Sequence, residues 1–334
     1  MEWTIDAPFQ ALSLAGGGYR GLYTAKVLQV MEVELGKPIG QSFDLVSGTS
    51  IGGLLALAVA FEVPMNRVID VFSEYGEYIF PPASRGVGTT ALRRLLDLYR
   101  NARKPRYEAD RLRSVVSKLI PKDAILGDAL HPVLIPAVNL TEGRPQVFKT
   151  RHLPQWNRDW KYKVVDIALA TAAAPTFFEL AEVDEQLYAD GGLFANAPDL
   201  IALHEAEHFL GVPSASIRLL SVGTTTEKYS VSFKLGRRFG VLDWMAKERL
   251  FSVIISSQQQ FVDQLVRHRL GANYLRIDSE PSNEQINDLG LDVADVAAQK
   301  SLLGLGSKAA TDVISNDAAP YLNHKPQLRI LKDA

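Results

Sequence analysis

Cysteine is absent from all 334 residues, so the chain can hold neither a disulfide nor a thiolate-bound metal, and it suits a reducing compartment. Net charge is nearly absent too, with 36 Lys and Arg facing 38 Asp and Glu. A molecule so balanced casts no long-range field toward nucleic acid, and no DNA or RNA partner is expected. Long apolar runs are missing: the longest, Ile51 to Phe61, falls well short of the roughly 18 to 20 residues that cross a bilayer as a helix. The first eight residues carry two acids and a proline where a secretory signal has a basic start and an apolar core, so the expected location is the cytoplasm. Low-complexity tracts and internal repeats are absent as well.

What is present is an ordinary globular composition, 47% hydrophobic, with two glycine motifs near the start. Ala11 to Ala15 is a short apolar run that ends in Gly16-Gly17-Gly18-Tyr19-Arg20-Gly21, and Leu22 to Leu35 behind it has helical spacing. Phe43 to Val46 then leads into Gly48-Thr49-Ser50-Ile51-Gly52 and a small, apolar stretch to Phe61. Each is strand, glycine turn, helix. A Gly-x-Ser-x-Gly turn in that context lifts the serine hydroxyl off the sheet edge to a helix N-terminus, where developing negative charge is favoured, so Ser50 reads as a nucleophile.

Further strands are expected at Pro132 to Val138, Gln146 to Phe148, Ile217 to Val222 and Tyr274 to Ile277, and helices at Val164 to Ala174, Leu200 to Leu210 and Leu250 to Leu270. Alternation of this kind argues for an α/β fold with a largely parallel sheet. Pro81 to Gly88 reads as a loop entering a basic insert, residues 84–113, with nine Arg or Lys against three acids. Leu92, Leu95, Leu96 and Tyr99 make an amphipathic helix there. It suits either a solvated helix packed by its leucines or a surface for anionic lipid or phosphate.

A serine nucleophile needs a base. Asp190, closing the apolar Leu187-Tyr188-Ala189 and followed by Gly191 and Gly192, is the strongest candidate, although Asp-Gly is also a common hairpin turn. His324 is the least implausible of six histidines for a Ser…Asp…His triad; His204 and His208, four apart on a helix without a His-Glu-x-x-His pattern, read as surface residues. Gly16, Gly18 and Gly21 also match the dinucleotide fingerprint, with Asp44 near the distance of its ribose-binding acid, but Asp44 opens the second strand instead of ending it. As an oxyanion hole, the same glycines place open N–H groups beside Ser50, and Arg20 adds positive charge. A non-hydrolytic nucleotide-binding module and an assembly role through the 250–270 helix stand as the other classes. Against the second, Gln258 to Gln260 and Arg267 to Arg269 read more simply as a partly exposed helix face.

Gly-Gly-Gly-x-Arg-Gly, Gly-Thr-Ser-x-Gly and Asp-Gly-Gly, in that order, resemble the patatin-like phospholipases, as do Ala172 to Phe178 and Asn196-Ala197-Pro198. The resemblance implies a three-layer α/β/α fold with a central mostly parallel sheet over residues 9–280, and a C-terminal helical segment, 281–334, packed on it. It implies a Ser50–Asp190 dyad without histidine, an oxyanion hole of Gly17, Gly18 and Arg20, and supporting glycines at 16, 21, 48, 52, 191 and 192. No metal or cofactor is implied. Burial should raise the Asp190 pKa toward neutrality. Residues 40–80 and 148–150 are similar to the CapV-like bacterial phospholipases of anti-phage signalling. That likeness implies activation by a cyclic dinucleotide of the cyclic GMP-AMP type, a phospholipid membrane as substrate at the inner face, and oligomerisation as an option. Basic residues of 93–113, or Arg237, Arg238 and Lys247, would meet the phosphates of such an activator or those of lipid headgroups.

Overall fold

In a computed structural model, residues 8–82, 104–225, 229–245, 249–286, 288–314 and 318–331 are described. Strand β1, Phe9–Leu14, is buried along its whole length. Leu12 and Leu14 pack into one hydrophobic cluster, Phe9 and Ala11 into another. Alternate side chains of a strand face opposite ways, so a strand buried at every position, Gln10 and Ser13 included, has cover on both faces. Cover on the first face comes from α1 (Gly21–Leu35), α2 (Ile51–Ala60), α3 (Met65–Ile79), α4 (Ala109–Leu119) and α5 (Val164–Ala172). The short α6 (Gly192–Ala195) follows the Asp190 strand, while α7 (Asp199–His204) and α8 (Arg249–Leu270) cover the second face. The result is three layers, α/β/α. Helix α9, Val296–Ile314, packs along α1, and at Gly306 a side chain would run into the Tyr23 carbonyl.

The eight strands run in the order β5-β6-β3-β2-β1-β7-β8, with β4 also on β3. β2 (Leu45–Gly48), β3 (Val133–Asn139), β7 (Ile217–Val222) and β8 (Tyr274–Ile277) extend β1 in parallel. β4 (Arg144–Lys149), β5 (Ala181–Val183) and β6 (Gln186–Asp190) add antiparallel pairings. One detail of register positions the site. Along one edge β3 pairs with β4 from Leu134 to Asn139; its other edge pairs with β2 at Val133 and Leu134, then with β6 at Ala137 to Asn139. β6 therefore continues in the lane that β2 vacates at Gly48, running the opposite way, and the two strands end toward each other.

Most expected elements lie within a residue or two of their places. The helix expected over 200–210 divides: α7 stops at His204, and Glu205–Phe209 forms a π turn. Glu205 is buried in that turn and accepts hydrogen bonds from Lys149, His152 and Trp156, tying it to β4. The amphipathic helix expected around Leu92 to Tyr99, and Lys247, lie outside the described residues. Segment 281–334 shares the core of the first face through Leu289, Ala298 and Leu302. Among the described residues no helix is long and apolar enough to cross a membrane.

Candidate active site

Ser50 sits between β2 and α2 with φ 56° and ψ −127°. A non-glycine residue holds positive φ only under constraint, at a cost of about 1–3 kcal/mol. Here the constraint is the close approach of the flanking glycines: a side chain at Gly48 would strike the Gly52 carbonyl, and one at Gly52 the Leu14 carbonyl. The elbow is also held from outside. Thr171 Oγ accepts the Ser50 N–H at 3.0 Å and donates to the Pro136 carbonyl at 2.6 Å. Pro136 lies between the stretches of β3 that pair with β2 and with β6, so Thr171 bridges the gap where the two strands meet.

Across that gap, Ser50 Oγ donates to Asp190 Oδ2 at 2.7 Å, and the Gly192 N–H donates to Asp190 Oδ1 at 2.7 Å. Asp190 is 2% exposed. Burial pushes its carboxyl up to about 7, because two hydrogen bonds only partly replace the lost solvation of the anion. Gly191 lies where a side chain would meet the Pro136 carbonyl, so the turn after Asp190 can press against β3.

The glycine loop is set by its carbonyls. Gly16 O accepts from Asn196 Nδ2 at 3.1 Å and Thr224 Oγ1 at 3.0 Å. Fixing that carbonyl aims the N–H of the same peptide, that of Gly17, the opposite way. The Gly16 N–H donates to Asn196 O and that of Tyr19 to Leu291 O, whereas the N–H groups of Gly17 and Gly18 find no acceptor among the described residues. Gly17 and Gly18 line the cleft with Ser50. Gly18 (φ 57°) admits no side chain, since one would strike the Leu291 carbonyl, and a side chain at Gly21 would strike Ile51. Arg20 does something else. Its guanidinium reaches back to the carbonyls of Gly17 and Thr225, bracing the loop, and Arg20 is not among the cleft-lining residues.

The cleft, a narrow space of about 60 Å³, is lined by Ser50 and Asp190 together with apolar walls such as Leu54, Phe72, Phe80 and Phe178. Such a narrow apolar trough accepts a hydrocarbon chain. None of the six histidines lines it. His324 Nε2 donates to Asp44 Oδ2 at 2.6 Å at the far end of β2, and that buried carboxylate also takes the N–H groups of Gln10, Gln327 and Leu328. Asp44 anchors the C-terminal tail there, so neither a triad through His324 nor a ribose contact through Asp44 is sterically open. His204 and His208 are exposed and stacked on each other. Within the basic insert, Arg106, Arg111 and Arg113 are held by Asp292, Glu108 and Asp166. Among the described residues no three His, Asp or Glu converge to hold a metal.

Three contributors carry no sequence signal. Thr171 is an ordinary threonine in an alanine-rich helix, and Leu291 acts through its carbonyl. Gln258, on the face expected to be partly exposed, turns inward: it accepts the Asn196 N–H at 3.3 Å and donates to the Leu193 carbonyl at 2.9 Å. Gln259 beside it is buried, whereas Arg267, His268 and Arg269 are exposed.

Comparison with known proteins points one way. Residues 12–203 match the family model described as patatin-like phospholipase. A cGAMP-activated phospholipase of Pseudomonas aeruginosa is 42% identical over 95% of this chain and 92% of its own length. One from Vibrio cholerae is 36% identical over 92% of each chain. A cUMP-AMP-activated phospholipase of Escherichia coli is 28% identical over 66% of both.

Proposed function

The chain belongs to the patatin-like phospholipases and is a lipid ester hydrolase, and from that premise we propose that Ser50 and Asp190 are its catalytic dyad, acting on membrane phospholipid. The observation that carries the reading is the 2.7 Å hydrogen bond between Ser50 Oγ and Asp190 Oδ2 in an apolar cleft without histidine. With an acyl chain in the trough, Ser50 Oγ attacks the ester carbonyl carbon while Asp190 Oδ2 takes its proton. The carbonyl electrons move to oxygen, which the free N–H groups of Gly17 and Gly18 receive. Collapse expels the lysolipid oxygen, which recovers the proton from Asp190 and leaves Ser50 acylated. Water then attacks the acyl carbon, gives a proton to Asp190, and the fatty acid departs as Ser50 regains its hydrogen.

A pKa near 7 suits a carboxylate for this work: it is raised enough to accept a proton from serine, yet ionised in good part at neutrality. Arg20 supports the loop and adds positive charge behind it. Activation by cyclic GMP-AMP is carried over from the relatives named above; action at the cytoplasmic face of the inner membrane as an anti-phage effector is what the CapV-like resemblance implies. Phospholipid hydrolysis by the purified chain with and without cyclic GMP-AMP tests the whole reading. Wild type should release fatty acid with the nucleotide present, while Ser50→Ala and Asp190→Ala, folded by circular dichroism, should lose about a thousandfold or more. Substantial turnover by either variant excludes the dyad, and full activity without nucleotide excludes the regulation.

A further inference from the structure

Residues 229–245 lead into helix α8, and hydrogen bonds at both ends tether them to its first two turns. The Tyr229 N–H donates to Ser256 Oγ at 3.0 Å, and Arg249 Nη1 donates to the Asp243 carbonyl at 2.8 Å. Phe251 and Ile255, on those same turns, line the Ser50 cleft. The segment thus stands beside the cleft and is held to one of its walls.

Its surface is apolar and cationic at once. Val231, Leu235 and Val241 are exposed, and Phe233 is completely so. Trp244, partly exposed, packs edge-on against Phe239 at 5.5 Å, with the Arg249 guanidinium over that ring at 5.3 Å. Lys234, Arg237 and Arg238 are exposed among them and form no ion pair among the described residues. The single acid of the segment, Asp243, caps its own turn by accepting the Gly240 N–H.

Apolar side chains held out into water signal a partner. Mixed with these exposed cations, they fit a lipid surface: aromatic and aliphatic groups enter the acyl boundary while Lys and Arg meet phosphates. A second copy of the chain fits less well, because a two-fold contact through this patch would set its cations against their own images. We propose that residues 229–245 are a docking surface for an anionic phospholipid bilayer, which presents the cleft to its substrate. The purpose of the docking rests on the acyl-hydrolase reading; the binding itself does not, and is measured without turnover.

The test is co-sedimentation of the full chain carrying Ser50→Ala with phosphatidylcholine vesicles, with or without phosphatidylglycerol, each with and without cyclic GMP-AMP. Binding is expected to the phosphatidylglycerol vesicles and to weaken with salt. Lys234→Glu with Arg237→Glu and Arg238→Glu should weaken it roughly a hundredfold, at about fivefold or more per cation, and Phe233→Ser with Leu235→Ser about tenfold. With Ser50 restored and cyclic GMP-AMP present, the Phe233→Ser, Leu235→Ser variant should still cleave a soluble short-chain ester, since neither residue lines the cleft. No vesicle binding by the parent under any of the four conditions, or equal binding by the variants, overturns the proposal. So does a loss of self-association in the variants with lipid binding unchanged, which would make a second copy the occupant. A chain that binds vesicles through this patch but cleaves no ester upholds the docking surface and overturns the acyl-hydrolase reading.

Discussion

Two carboxylates are buried at opposite ends of strand lanes that share the centre of the sheet, and they have opposite surroundings. Asp44, at the start of β2, faces three backbone N–H groups and an imidazole. Asp190, at the end of β6, faces one backbone N–H and one serine hydroxyl. A buried anion is tolerable in proportion to the donors around it. Asp44 is saturated and serves as a clamp between the strand and the C-terminal tail. Asp190 is under-solvated, its proton is held more tightly, and the one mobile donor it faces is the nucleophile. Same residue type, same depth: the donor count separates structure from chemistry.

The largest effect expected from breaking this comparison is on stability at Asp190. Burial raises its carboxyl from 3.8 to about 7, so the folded chain keeps a proton that the unfolded chain releases in that interval. Stability is then fully present below about pH 4 and falls as pH rises through about 7. Asp190→Asn removes the cost and should unfold at higher urea than wild type above neutral pH, by up to about 4 kcal/mol. The two should converge in acid; equal stability at both ends of the range would mean that the burial is not felt.

Asp44→Ala should act the other way. It leaves three amide groups and His324 without their acceptor, and roughly 3 kcal/mol of stability should go, read from urea melts. Ester hydrolysis per folded molecule should persist, and a specific loss of turnover would tie the tail clamp to the site. Smallest is Thr171→Val, which keeps the shape but removes the acceptor of the Ser50 N–H and the donor to Pro136. About tenfold in kcat with little change in KM is expected, with Thr171→Ser restoring most of it.

The same comparison shows how far the sequence could be read. Strand, glycine turn and helix announce themselves twice, because glycine spacing and apolar runs are local signals, and they lead to Ser50, Gly17 and Gly18. Asp190 could be named but not placed: nothing local says that β6 runs into the lane of β2 and meets Ser50 head on. Asp44 invites a ribose-binding role by its distance from the glycines, and only the tail, some 280 residues on, reveals its use. Thr171, Leu291 and Gln258 carry no local signal because each acts through only one or two hydrogen bonds across a long separation. Arg20 was legible as a charge near the loop, but its direction, toward the carbonyls of Gly17 and Thr225, is a matter of packing.

The central claim, that an under-solvated Asp190 is the base for Ser50, is tested most directly by the pH dependence of kcat/KM for ester hydrolysis in wild type and His324→Ala. Both should rise with pH through an apparent pKa near 7 and then level, since the base must be ionised to accept the serine proton. A profile flat through that region, or a limb that disappears with His324, would contradict it.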